Sequence, residues 1–217
     1  MNRLIVTVGT GGYARGVARL KGIVTDPIKA WTHTLPPGSP THADTPYAFK
    51  AFALKYARDF GADLVMWMDA SIKPIRSLDP LWALIEKQGY WFSANWWPNG
   101  EWCSDAALPL FGMTREESMT HMHVAATAFG LNLRSEVGAA FLDDYMRYAT
   151  NGAFRGPWKN DNGQASSDPR VRGHRHDQTA ASVICWRRGM TLTNPPEWFA
   201  YRGGESEKTV LLVDGAY

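Results

Sequence analysis

The run Asp63-Leu-Val-Met-Trp-Met-Asp69 constrains the fold of this chain more than any other stretch. Successive side chains of a strand point to opposite faces, so an unbroken apolar run needs cover on both, as in the interior of a parallel sheet flanked by helices. The carboxylates bound the strand, and Asp69 stands at its carboxyl end, where open α/β sheets bind their ligands.

The neighbouring segments supply the layers. Leu4-Ile-Val-Thr-Val8 reads as a first buried strand entering a glycine-rich loop, and Gly22-Ile-Val-Thr-Asp26 as a second short apolar run. Residues 30–45, rich in Pro, Gly, Ser, Thr and His, read as a surface loop. Phe49, Phe52, Ala53, Tyr56 and Phe60 recur at helical spacing, so a helix is predicted over 47–60, with Pro46 in its first turn and Gly61 as its stop. Asp79 and Pro80 open a further helix closed by Gly89, and residues 90–97 follow as a strand. Thr114 and Glu117 form a capping box for a helix running toward Gly130, and Ser135 opens another that ends near Gly152. A long loop is expected over 155–175, a last helix from Gln178 to Arg188 with Asp177 as its N-cap, a short strand over 190–193 and, over 209–213, an edge strand or a segment that covers the site. Strands alternating with helices predict an α/β protein, a sandwich of helices around a mostly parallel mixed sheet.

Composition narrows the class. With 217 residues, 45% hydrophobic and 20% charged, the chain suits one globular domain with a full core. Its 23 basic and 21 acidic residues leave a formal charge of +2, which argues against a dedicated polybasic binder of nucleic acid or membranes. Cys103 and Cys185 are far apart, so no disulfide framework or cysteine zinc site is expected. No run approaches a membrane span and the N-terminus does not read as a signal sequence, so a cytoplasmic location is expected.

Two strand ends carry suggestive chemistry. After Val8, the residues Gly9, Thr10, Gly11, Gly12 and Tyr13 bring backbone N–H groups within reach of a phosphate, or simply make a turn. The spacing Gly9, Gly11, Ala14 is a loose dinucleotide pattern, but Lys21 and Gly22 follow too soon for the full helix such a site needs. After Met68, Asp69-Ala70-Ser71 presents a carboxylate and a hydroxyl around a small residue, suited to a divalent cation or a ribose, or to a plain turn. The 10 Trp residues include a cluster at Trp91, Trp96, Trp97 and Trp102, which fits either core filling or a stacking platform. In the same stretch Glu101 and Asp105 are acids beside indoles, and Asp105 is a candidate base for an acceptor hydroxyl.

The block Pro46 to Pro74, containing PYAFKAFALKYARDFGADLVMWMDASIKP, resembles the nucleotide-sugar-binding half of GT-A fold glycosyltransferases, including compact phage-type enzymes. Asp69 matches the first carboxylate of their DxD-like triplet, while Ser71 replaces the second and so weakens the expectation of Mn or Mg. The segment GHRHDQTAASVICWRRG resembles the His-Asp-Gln turn these enzymes place beside donor and acceptor sugars.

The resemblance implies a single domain over 1–217, with residues 1–97 binding the donor and 98–217 carrying the acceptor and catalytic half. Donor contacts would come from residues 9–13, Lys50, Asp69, Ser71 and His176, with Lys50 facing the nucleotide. Metal ligands would be Asp69, Ser71 and His174, and the catalytic carboxylate Asp177, with Asp105 its rival. Asp177 as a mere cap and the two histidines as solvated loop residues are the competing readings. The donor would be a nucleoside-diphosphate sugar, a UDP-sugar by guess, and the acceptor a polysaccharide precursor or a hydroxymethylated DNA base. A non-catalytic sugar- or nucleotide-binding module, and a metal-dependent nuclease or phosphatase, are the alternatives. The oligomeric state is not legible.

Overall fold

The computed structural model describes residues 1–215. In chain order the strands are β1 (Arg3–Val8), β2 (Ile28–Trp31), β3 (Leu64–Met68), β4 (Ile72–Pro74), β5 (Tyr90–Trp91), β6 (Ala94–Pro98), β7 (Met122–Val124), β8 (Ala128–Asn132), β9 (Trp198–Tyr201) and β10 (Thr209–Val213). The α-helices are α1 (Ala14–Ile23), α2 (Phe49–Asp59), α3 (Asp79–Gln88), α4 (Leu108–Phe111), α5 (Arg115–Met119), α6 (Glu136–Thr150) and α7 (His176–Arg187).

The central sheet has the order β2-β1-β3-β8-β5. β3 lies in its middle, parallel to β1 and antiparallel to β8, and all its side chains are buried, as its uninterrupted apolar run requires. Val65 and Trp67 face the core shared with α2 and α6, while Leu64, Met66 and Met68 face the core containing Leu81, Trp82 and Ile85 of α3. Each large apolar side chain buried in this way contributes about 1.5–3 kcal/mol. The sheet is thus a mixed one in an α/β/α sandwich, parallel on the β1 side and antiparallel on the β8 side. β10 joins β4 and β9 in a smaller sheet, and β6 pairs with β7.

Several elements differ from the sequence reading. Residues 14–23 form a full helix, α1, with Val17 and Leu20 buried, so the second strand falls at 28–31 instead of 22–26. The capping box at Thr114 and Glu117 is present, but its helix is only Arg115–Met119, and residues 122–132 make β7 and β8. Gly130 permits this: a Cβ there would lie 2.2 Å from Ile85 Cδ1, so α3 packs directly on the β8 backbone. Residues 90–97 are divided between β5 and β6, which belong to different sheets. Residues 190–193 give a single bridge, Ser93 to Thr193, instead of a strand. Among the described residues no helix is long and apolar enough to cross a membrane.

Candidate active site

The carboxyl ends of β1 and β3 are locked together by glycines. A Cβ on Gly16 would lie 2.0 Å from the Ala70 carbonyl oxygen, and one on Gly9 2.5 Å from Val17 Cγ2. Only hydrogen at both places lets α1 press against the turn after β3. That turn is tight: the Asp69 N–H donates to the Thr127 carbonyl at 2.8 Å and the Ile72 N–H to the Asp69 carbonyl at 2.9 Å. Asp69 and Ser71 consequently emerge on the wall of a cavity of about 490 Å³ that Thr10, Tyr13, Tyr47 and Phe49 also line. A further cavity, of about 430 Å³, lies at the amino end of β1 among Asn2, Leu4 and Pro27, on the side of the sheet away from the strand-end chemistry.

Lys50 is the organising residue. It shares a face of α2 with Ala53, Leu54 and Ala57, all fully buried, and its own side chain is 3% exposed. An ammonium there must be paired. Its Nζ lies 3.1 Å from Asp69 Oδ1 and 2.9 Å from Asp177 Oδ2, and it donates to the Ala126 carbonyl at 2.9 Å. Trp67 Nε1 also donates to Asp69 Oδ1 at 2.7 Å. Burial alone would lower the lysine pKa, but Asp177 and Asp69 outweigh it and hold the ammonium above its ordinary range. Burial raises both carboxyls, with Lys50 opposing. Two carboxyls face one ammonium, so the expected free cation facing a nucleotide is not there: Lys50 is neutralised by its own protein.

Asp177 is placed differently from its carboxylate partner. Its side chain is 4% exposed against 29% for Asp69, and it lines neither the cavity at Asp69 nor the one described below. It is also not the N-cap of the last helix, a position taken by Arg175; α7 begins at His176 and Asp177 sits in its first turn. A carboxylate there is favoured by the helix dipole.

The histidines are internal. His174 Nδ1 accepts from the Ser104 N–H at 3.3 Å and its Nε2 donates to the Ala153 carbonyl at 3.0 Å, so neither nitrogen is available to a metal and the expected ligand role is withdrawn. His176 Nδ1 donates to the Phe154 carbonyl at 2.8 Å, and its ring packs between Tyr47 and Trp158 with centroids 5.7 and 5.6 Å away. Burial pushes His174 down to about 3 and His176 to about 4. Tyr47 and His176 have φ of 60° and 47°, left-handed values that cost non-glycine residues energy and tend to collect at functional sites.

A second cavity, of about 310 Å³, is lined by Trp97, Trp102, His123, Arg175, Gln178 and Tyr201, together with Asn95. Two indoles of the sequence cluster therefore do reach a hollow, whereas Trp91 is core and Trp96 is exposed. Asp105 reaches neither cavity. Its carboxylate accepts from Arg115 and Ser166 Oγ, each at 2.7 Å, and although burial opposes them these bonds hold it below the usual range, the wrong direction for a base. Sequence reasoning missed Tyr47, His123 and Tyr201. The latter two arrive on β7 and β9, which the sequence pattern did not reveal, while Tyr47 carries no motif.

Whether these residues fit a divalent cation follows from the same geometry. Among the described residues no group of three or more His, Cys, Asp or Glu side chains could hold one. With Asp69 Oδ1 engaged, what remains is the other Asp69 oxygen and the Ser71 hydroxyl, a donor set that fits only an ion sharing its shell with substrate phosphates.

No protein-family model matches the chain, and no curated protein sequence does. Solved structures do. A glycosyltransferase involved in the glycosylation of the major capsid of PBCV-1 aligns over 98% of this chain and 92% of its own, with a TM-score of 0.56 and 10% identity. Mouse xyloside xylosyltransferase 1 aligns over 98% and 97%, with a TM-score of 0.52 and 11% identity. The bifunctional glycosyltransferase WbbM aligns over 96% of this chain and 45% of its own, with a TM-score of 0.51 and 10% identity. At such identities the likeness speaks for architecture. The chain has the GT-A-like glycosyltransferase fold.

Proposed function

We propose that the chain transfers a sugar from a nucleoside-diphosphate donor to an acceptor hydroxyl. The observation that carries this reading is the Asp69–Lys50–Asp177 cluster, which ties the carboxyl end of β3 to the start of α7 beside a cavity of nucleotide size. The donor's nucleoside lies along residues 9–13, with Thr10 and Tyr13 on the wall, and its ribose or diphosphate meets Asp69 and Ser71. The transferring sugar lies toward Tyr47, which lines the cavity, while His176, packed behind it and lining neither cavity, supports Tyr47 and is not the donor contact expected from the sequence.

Lys50 fixes the Asp69 carboxylate, and Asp177 acts through Lys50 as a positioning residue, in keeping with its burial. Because Lys50 is already paired with two carboxyls, a diphosphate needs a cation from outside the cluster; Mn or Mg arriving with the donor, held by Asp69 and Ser71, would offset the charge that develops on the leaving diphosphate. The acceptor enters the second cavity, whose indoles suit a sugar ring. The donor and acceptor halves then meet near residue 97, with Asn95 and Trp97 contributed from the first half.

The test is chromatography of nucleotide released from UDP-, GDP-, CMP- and TDP-sugars, with and without Mn. Release from one donor class, lost on chelation and reduced in Asp69→Ala, supports the proposal. Binding without release at any acceptor or metal concentration would make the chain a binding module, the reading that Ser71 favours. Cleavage of nucleic acid with no nucleotide release would refute both.

A further inference from the structure

Arg175 is a cation without an anion. Its guanidinium carbon lies 4.1 Å from the Trp102 ring centroid and 3.8 Å from that of Trp158, so indoles hold it in a fixed orientation. Stacking leaves the N–H edge of the guanidinium as the group that recognises a ligand. Nearby arginines are spent: Arg172 pairs with Glu101 at 2.7 Å and Arg115 with Asp105 at 2.7 Å. Arg175 has no carboxylate within 4 Å among the described residues, and no carboxylate lines the second cavity, which it enters beside Gln178. On the same wall His123 is 1% exposed and its Nε2 has no hydrogen-bond partner, while its Nδ1 lies 3.5 Å from Asn95 Nδ2. Burial pushes His123 down to about 3, so Arg175 is the single charge of this wall near neutral pH.

We propose that the second cavity selects an acidic acceptor sugar, its ring in the corner where Trp97 and Trp102 meet edge to face and its carboxylate or phosphate on the edge of Arg175. A neutral sugar would leave an oriented guanidinium facing no counter-charge, whereas an oxyanion gains charge-assisted, two-pronged hydrogen bonds there. Tyr201, half exposed across the cavity, offers a hydroxyl, and Asn95 and Gln178 offer amides to the ring hydroxyls. The inference rests on the proposed function in taking the Asp69 cavity as the donor's and this one as the acceptor's.

The experiment is ligand-observed NMR titration of the full chain with sodium D-glucuronate, glucose 6-phosphate and D-glucose, alongside titration with UDP, GDP, CDP and TDP. At least one acidic sugar should bind about fivefold or more tightly than glucose, and the margin should shrink as salt is raised. In Arg175→Gln that margin should vanish, and Arg175→Lys, which keeps the charge but not the planar fork, should restore part of it. Which acid prefers the site separates a carboxylate from a phosphate. Equal binding of glucose and both acids would overturn the proposal. So would an Arg175→Gln variant, folded by its melting transition, that loses UDP affinity and keeps the sugar preference, since Arg175 would then serve the donor. Failure of the unaltered protein to bind any nucleoside diphosphate would defeat the donor reading alone, because the comparison among sugars does not depend on it.

Discussion

Replacing Lys50 with methionine probes the centre of the structure at nearly constant volume. The ammonium meets carboxylates at 3.1 and 2.9 Å and a carbonyl at 2.9 Å, with 3% of the side chain exposed, so water cannot substitute for it. Breaking a buried ion pair from one side costs about 3–5 kcal/mol, because the other charge is left uncompensated. For a chain of this size about 1 kcal/mol moves the melting midpoint by roughly 2–4 °C, so Lys50→Met should melt roughly 6–20 °C lower at neutral pH. The deficit should also depend on pH. Burial already raises Asp177, and without Lys50 its folded-state pKa rises further; the protonated carboxyl is then favoured in the folded state, and the deficit grows as pH rises through that value and shrinks as pH falls. Scanning calorimetry of Lys50→Met and unaltered protein across pH 5–8 reads both effects, and Lys50→Met/Asp177→Asn should recover a large part of the loss by removing the orphaned charge. A variant that melts within about 2 °C of the unaltered protein at every pH would refute the ion cluster.

Asp69→Ala should weaken nucleoside diphosphate binding, and Asp177→Asn, which loosens Lys50 and through it Asp69, should weaken it by a smaller factor; titration calorimetry reads both, and an Asp177→Asn protein that merely melts earlier with full donor affinity would limit Asp177 to a structural role. Gly16→Ala pushes a Cβ to 2.0 Å from the Ala70 carbonyl and should cost about 1–3 kcal/mol or more, while Gly12→Ala, with open space around it, should be close to neutral in the same urea titration. Burial lowers His121, His123, His174 and His176 from 6.5 to about 4, 3, 3 and 4. Their folded forms stay neutral while the unfolded chain takes up protons, so their contribution is complete above pH 6.5 and is lost as pH falls toward 4, by up to about 1.4 kcal/mol per pH unit for each. Urea midpoints that stay flat between pH 7 and pH 4.5 would contradict this.

The sheet's centre was legible because β3 has no polar residue to hide: an unbroken apolar run leaves no solvent face, and its position in the middle of the sheet follows. The helix α1, by contrast, was masked, since Lys21 and Gly22 seemed to follow the glycine loop too soon for a full helix, whereas Gly16 is the contact with Ala70 and Gly22 lies inside the helix. β8 was hidden for a similar reason: Ala128-Phe-Gly-Leu-Asn has neither β-branched residues nor alternation, and its strand state is imposed by pairing with β3 and β5. Asp69 could be singled out from its strand-end position, but its partnership with Asp177 spans more than half the chain and exists only in the fold. One local signal did point to it. Lys50 stands three, four and seven residues before Ala53, Leu54 and Ala57, so helical geometry puts a lysine on an apolar face, and a buried ammonium demands carboxylates. In the second cavity only the indoles Trp97 and Trp102 stood out in the sequence; His123, Arg175, Gln178 and Tyr201 join them in the fold alone, from β7, the start of α7 and β9.

A crystal structure with the nucleoside diphosphate whose sugar is turned over tests the reading of the strand ends most directly. The nucleotide should occupy the hollow between Thr10, Tyr13 and Tyr47, its phosphates reaching Asp69 and Ser71. A fully occupied nucleotide at the amino end of β1, among Asn2, Leu4 and Pro27, would contradict it.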